Sequence, residues 1–183
     1  RMAIDRFEND VFIAGGNGIP GIYYEATDIA KRLGEKRNVK LYWVVRHYRS
    51  LEWFYQELLK LKDLPISTTV YVTQPNVGLA DPITTDLTDD EEQQEHEQEK
   101  KSDTEESNDY VAQVKKNLSF IQFIETKPDF YQIVGEEIKQ LTGPIAFASC
   151  AHGNMVDDVR KSIVDNLSNS NHRVELFEQM QNW

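Results

Sequence analysis

Val11-Phe12-Ile13-Ala14-Gly15-Gly16-Asn17-Gly18-Ile19-Pro20-Gly21 is the stretch on which the fold turns. The apolar run Val11 to Ala14 reads as a short buried strand. Gly16, Gly18 and Gly21 satisfy G-x-G-x-x-G directly behind it. Ile22, Ala26, Ile29, Ala30 and Leu33 then recur at helical spacing, with Gly34 as a stop. A glycine-rich strand-to-helix turn is the context in which this motif carries meaning. Glycines let the backbone turn tightly and come close to a pyrophosphate. The open N–H groups and dipole at the helix start favour its negative charge. A turn of this kind without a ligand is the competing reading, and the strand-helix context favours phosphate binding by residues Gly15 to Gly21.

Working outward, the same alternation continues. Val39 to Val45 is a β-branched and aromatic strand, and Ser50 is placed to cap a helix with Leu51, Phe54, Tyr55, Leu58 and Leu59 on its apolar face. Thr68 to Thr73, Leu118 to Ile124 and Ile145 to Ser149 read as further strands. Pro128 falls near the first turn of a helix bearing Phe130, Ile133, Val134, Ile138 and Leu141. Val156, Val159, Ile163 and Leu167 mark a last helix, and Val174 to Phe177 is a candidate sixth strand. Nearly all-apolar strands alternating with helices imply an α/β fold: a parallel sheet of five strands, or six, covered by helices on both faces. In such sheets ligands sit beyond the carboxyl ends of the strands, where the strand order reverses.

One segment breaks the pattern. Residues 80–109 are rich in Asp, Glu, Gln and Ser and nearly free of large apolar side chains. Such a composition cannot offset its own chain entropy and reads as a disordered acidic insertion in a single domain spanning 1–183. The formal charge of −11 belongs to it: residues 81–109 hold 13 of the 31 acidic and 2 of the 20 basic residues, leaving 18 of each elsewhere. Nothing in the balanced remainder calls for nucleic acid, which would want a basic face. No apolar stretch reaches the roughly 18 residues of a membrane span, so no membrane contact is required of the domain itself. A chain that starts at Arg1 reads as a piece of a longer protein. Cys150 is the one cysteine, which rules out an intrachain disulfide and argues against a cysteine-based zinc site. No His/carboxylate pattern for metal binding or hydrolysis appears, and His96 in the acidic segment is no metal site by itself.

The residues just after each strand are the candidates for chemistry. Behind the second strand stand Arg46 and Arg49, with no carboxylate before Glu52. A carboxylate there would bind a ribose 2′-hydroxyl and select NAD, whereas an arginine accommodates the 2′-phosphate of NADP. For Arg49 a solvated surface position is an equal alternative. Tyr48 offers a ring to adenine or a place on the rim. Behind the fifth strand come Cys150, Ala151 and His152, which puts a small polarisable side chain at the crevice. A buried cysteine acting as a small hydrophobe is the alternative there.

IAGGNGIPG (13–21), KLYWVVRHYRSLEWF (40–54), TKPDF (126–130), SCAHGNMVDDVR (149–160) and ELFEQMQNW (175–183) occur in one order along the chain. In these the sequence resembles the NADPH-binding domain of yeast-type fungal ferric-chelate reductases, within a wider group that includes NADPH oxidases and, more distantly, ferredoxin–NADP reductases. The resemblance spans the chain apart from the acidic segment. It implies a ferredoxin–NADP-reductase-like nucleotide-binding domain on the cytosolic side of a membrane parent that also holds an FAD barrel and two haems. Hydride would pass from NADPH to FAD, and electrons through the haems to ferric or cupric chelates outside, most simply at the plasma membrane. The flavin domain of the same parent is then this domain's partner. FAD and haem would not be bound by this chain, which alone would not turn over.

Residue by residue, the resemblance makes Gly15, Gly16, Asn17, Gly18, Ile19, Pro20 and Gly21 the pyrophosphate loop and Arg46 the 2′-phosphate contact. It sets Cys150 beside the nicotinamide and Trp183 over the flavin. Two positions depart from it: Ala151 stands where glycine is common, and Lys127 where an arginine often precedes Pro-Asp. Lys127 thus becomes a point charge where a forked contact is usual. An NADPH oxidase and a nucleotide-sensing module without redox chemistry are the competing functions.

Overall fold

The computed structural model describes residues 7–77 and 108–179. Six strands form one sheet: β1 (Asn9–Gly15), β2 (Asn38–Val45), β3 (Ile66–Val72), β4 (Ile121–Ile124), β5 (Ile145–Cys150) and β6 (Val174–Glu178). Their order is β4-β3-β2-β1-β5-β6, and every neighbouring pair runs parallel. The helices are α1 (Ile19–Leu33), α2 (Tyr55–Lys60), α3 (108–117), α4 (Phe130–Gln140) and α5 (Asn154–Asn166).

Successive residues of a strand face opposite sides of the sheet, and β1 shows this in its packing. Phe12 and Ala14 join Leu41, Trp43 and Val70 in a core beneath α1, α2 and α3, which contribute Ile22, Ala26, Ile29, Leu58 and Val114. Val11 and Ile13 join Ile145 and Phe147 in a second core beneath α4 and α5, closed by Val134, Ile138, Val159 and Ile163. The α/β arrangement with helices on both faces is therefore present, and the candidate sixth strand is real: Val174 to Glu178 pairs along β5.

Several local readings change. Ser50 caps nothing: residues Tyr48–Phe54 form a 3-10 helix that shortens the following α2 to six residues, with no side-chain cap on either. Pro128 lies ahead of its helix, and Asp129 is the cap, its carboxylate accepting from the Gln132 N–H at 3.2 Å. Leu118 directly follows α3, its N–H donating back to the Val114 carbonyl, and β4 starts three residues later. Residues 108 and 109, read from composition as the end of the insertion, open α3. The rest of that segment and Trp183 lie outside the described residues. Tyr48 is fully buried and cannot stack on a ligand from the rim.

Candidate functional site

In this sheet β1 sends its chain to one side and β5 lies on its other side, so the strand order reverses between them. That is where a parallel α/β sheet leaves a crevice at its carboxyl edge. β1 ends at Gly15, residues 16–18 make one 3-10 turn, and α1 opens at Ile19 with Pro20 in its first turn. Pro20 has no N–H to leave unsatisfied and a φ suited to a helix start. Gly16 has φ +49, in the left-handed region that glycine enters without penalty. Gly16, Asn17 and Gly21 are exposed, whereas Gly18 and Ile19 are buried. The Ile19 side chain belongs to the core, so any contact it makes with a ligand is through backbone.

Opposite this loop, Cys150 pairs in register with Ala14. It is the last residue of β5 rather than the first beyond it, and its side chain is buried in the core under α1. The thiol therefore belongs to the core under α1, at the carboxyl end of the strand beside β1. Ala151 is buried next to it and His152 is exposed. Gly153, at φ +57, turns the chain into α5. The two loops touch: a Cβ added at Gly15 would stand 2.9 Å from Ala151 Cβ and 2.6 Å from Met155 Sδ. Glycine at 15 is thus what lets the β1 and β5 loops close on each other.

The β2 loop supplies the cations. Arg46 is exposed just past β2, and its carbonyl accepts from the Gln74 N–H at 2.8 Å, tying the ends of β2 and β3 together. His47 Nδ1 lies 3.3 Å from the Gln74 carbonyl. Arg49 is engaged elsewhere, 5.1 Å over the Tyr110 ring of α3 and 3.7 Å from Glu52. Lys127 is exposed beyond β4. It is three strands from β1 in the sheet order, roughly 14 Å at the usual strand spacing. Lys127 and the glycine loop are therefore not brought together, while Arg46, Gly16, Asn17 and His152 line neighbouring loops of one edge. The Tyr48 hydroxyl donates to Glu125, linking the β2 and β4 loops; burial and that carboxylate push its pKa up.

Sequence reasoning passed over three participants. Trp43 is buried on β2 and donates its indole N–H to the Gly16 carbonyl at 2.9 Å. Met155 packs against Gly15. Gln179, past β6, lies so close to Gly21 that an added Cβ would meet its Oε1 at 2.5 Å, and its amide donates to Glu25 at 2.7 Å. The third glycine of the motif thus admits a side chain from the end of β6. Only the tryptophan left a trace in the sequence: a Trp in a buried strand needs a partner for its N–H.

A depression of about 380 Å³ lies at the opposite edge, lined by Arg37, Asn38, Lys40 and Ser67 at the amino ends of β2 and β3. Its cations are paired, Arg37 with Asp10 at 2.5 Å and Lys40 with Glu137 at 2.9 Å. It is a structural feature, remote from the strand ends that carry the glycine loop.

A parallel sheet with a glycine turn at its switch point, a facing loop in contact with it and an arginine at the next strand end defines a dinucleotide-binding α/β domain. The particular family follows from comparison with known proteins. Residues 7–164 match the sequence model of the ferric reductase NAD-binding domain, and the chain belongs to that family. It is 42% identical over 180 residues to a probable ferric reductase transmembrane component of Candida albicans, covering 96% of this chain and 26% of that protein. It is equally similar, at 42%, to ferric/cupric reductase transmembrane component 1 of Candida albicans, of which it covers 23%. Ferric reductase transmembrane component 3 of Saccharomyces cerevisiae is 24% identical over 183 residues, with 25% of its length covered. The chain therefore spans about a quarter of the length of these relatives. No helix among the described residues is long and apolar enough to cross a membrane.

Proposed function

We propose that this chain is the NADPH-presenting domain of a transmembrane ferric or cupric chelate reductase. The observation that carries the reading is the arrangement at the carboxyl edge: the Gly16–Asn17 turn, Ala151 beyond β5 packed close to Gly15 at the switch point, and the exposed Arg46 past the adjoining β2. NADPH, when bound, supplies a hydride. Gly16 and Asn17 offer backbone N–H groups to a pyrophosphate, and Arg46 offers forked donors to a 2′-phosphate. Cys150 closes the floor beneath the nicotinamide end, where its small side chain leaves room for a flat ring. Ala151, in place of glycine, narrows that end by one methyl. The acceptor of the hydride is FAD on another domain of the same parent, with Trp183 covering the flavin while nicotinamide is absent. Haems would then carry single electrons to a metal chelate on the far side of the membrane, with this domain on the cytosolic side. The names of the relatives, ferric and ferric/cupric reductase components, support a metal-reducing parent over an oxygen-reducing one.

Titration of the purified chain with NADPH and NADH, followed by turnover assays, tests this. Expected are saturable binding that favours NADPH, no reduction of a ferric chelate by the chain alone, and NADPH-driven chelate reduction by membranes carrying the parent. A chain that binds neither nucleotide, or both equally, overturns the cofactor reading. A parent that reduces oxygen but no ferric or cupric chelate overturns the acceptor.

A further inference from the structure

We infer that Trp43 is a positioning residue for the phosphate turn, setting the direction of the Asn17 N–H; this rests on the dinucleotide reading above. Trp43 sits in β2, only 1% exposed, with its ring held edge-on by Phe54 at 5.8 Å and Trp53 at 6.5 Å. Phe54 is in turn fixed by Tyr23 of α1 at 4.9 Å. An indole has one polar atom, a donor, and burying it without a partner is costly. Here the partner is the Gly16 carbonyl at 2.9 Å, a contact between residues 27 apart in the chain.

The consequence follows from peptide geometry. In a trans peptide the carbonyl and the next N–H point in opposite directions. No cis peptide occurs among the described residues, so capturing the Gly16 carbonyl from the β2 side turns the Asn17 N–H away from Trp43. Asn17 is exposed, and an N–H in the opening turn of a helix has no intrahelical partner. It is therefore presented to the crevice. Gly16 supports the same conclusion. A Cβ added there would meet nothing within 4 Å, so crowding does not explain the glycine. Its φ of +49 does, and it is in this left-handed conformation that the Gly16 carbonyl meets the indole. Trp43 and Gly16 thus act as one device: the glycine permits the peptide orientation and the tryptophan selects it. The indole would not touch the nucleotide. It would act through one peptide plane on the pyrophosphate and leave the 2′-phosphate end alone.

That separation makes the test. The full 183-residue chain is prepared as wild type, as Trp43→Phe, and with Trp43 replaced by β-(3-benzothienyl)alanine. The last keeps the shape of the indole but carries sulfur in place of the N–H. Two ligands are titrated, NADP⁺ and 2′-AMP, the second lacking a pyrophosphate. Expected for the benzothienyl chain is a loss of about tenfold in NADP⁺ affinity, the scale of one hydrogen bond, with 2′-AMP binding unchanged. Trp43→Phe should show the same selective loss. Should Trp43→Phe fail to fold, the isosteric chain decides alone. Equal losses for both ligands would reduce Trp43 to a packing residue and overturn the inference. So would an isosteric chain that binds NADP⁺ like wild type. A wild-type chain that binds neither ligand overturns the dinucleotide reading and takes this inference with it, an outcome distinct from the other two.

Discussion

Gly15→Ala isolates the contact on which the crevice depends. Gly15 has φ −115 and ψ 130, extended values open to any residue, so the substitution carries no torsional penalty and its effect is purely one of packing. The new methyl would lie 2.6 Å from Met155 Sδ, 3.3 Å from Met155 Cε and 2.9 Å from Ala151 Cβ. Methyl groups in ordinary contact stand about 3.5–4 Å apart. The methionine can yield by rotating its thioether. Ala151 cannot, because its Cβ moves only with its backbone, and that backbone continues directly from Cys150 at the end of β5. Relief therefore means shifting the peptide after Cys150 by roughly 0.5–1 Å. Overpacking of this kind costs about 1–3 kcal/mol. For a chain of this size that is a fall of roughly 2–12 °C in Tm.

The assay is urea unfolding, with an unchanged m-value as the check that compactness is preserved, run beside NADPH titration. Ala151→Gly removes the rigid partner. Alone it should cost about 0.5–1 kcal/mol from the added freedom of glycine. In Gly15→Ala/Ala151→Gly the methyls no longer meet, so the pair should be more stable than the sum of the singles by about 1 kcal/mol. NADPH affinity should follow the same order, lowest for Gly15→Ala and recovered in the double variant. Additivity of the two substitutions within about 0.5 kcal/mol, or a neutral Gly15→Ala, would refute the idea that this glycine exists to admit the β5 loop.

Four further outcomes are expected. Arg46→Ala should weaken NADPH by roughly 1.5–3 kcal/mol, as for a charged hydrogen bond, and leave NADH nearly unchanged, read as the ratio of kcat/KM values in the full-length parent. Trp183→Ser in the parent should tighten nicotinamide binding and relax discrimination against NADH; unchanged turnover with both cofactors and unchanged flavin fluorescence would leave Trp183 without a role at the flavin. Deleting Asp81 to Ser107 and closing the gap with a short linker should leave the thermal midpoint within a few degrees, since closure entropy depends weakly on loop length. Burial, then Glu57, pushes the Tyr23 phenol up to about 12 from 10.0, so its protonated form is favoured in the folded state. Its contribution is whole below pH 10 and lost as pH rises towards 12, so unfolding midpoints measured across that window should fall less steeply for Tyr23→Phe.

What could be read in advance was whatever lies contiguous in the chain. The apolar runs of β1 and β5 are buried at every position, and those of β2 and β3 at alternate positions or at the carboxyl end, so each shows as a block of sequence. The glycine turn shows because its residues are neighbours. β4 and α3 were harder. Val111, Val114 and Leu118 do recur at helical spacing, yet they directly follow the acidic segment, whose composition masks the start of the helix. Ser50 misled because a Ser before an apolar helical pattern is a cap only if the helix begins there, and a 3-10 segment took that place.

The site divides along the same line. The placement of Arg46 and Cys150 at the carboxyl edge was legible because parallel strands bring their carboxyl ends to one side, so that position along a strand translates into position at that edge. The side on which a residue points was legible too: Cys150 shares the parity of Ala146 and Ala148, which face the core under α1. What no single segment carries is a contact between loops. Gly15 against Ala151, Gly21 against Gln179 and Trp43 against the Gly16 carbonyl each join residues distant in sequence. In each pair one partner is a glycine of the loop from Gly15 to Gly21. The glycines therefore answer to two constraints at once: access for a ligand from outside and close approach of the protein's own loops from within. A pattern match weighs only the first. The second explains why Gly15, whose torsions need no glycine, is glycine nonetheless.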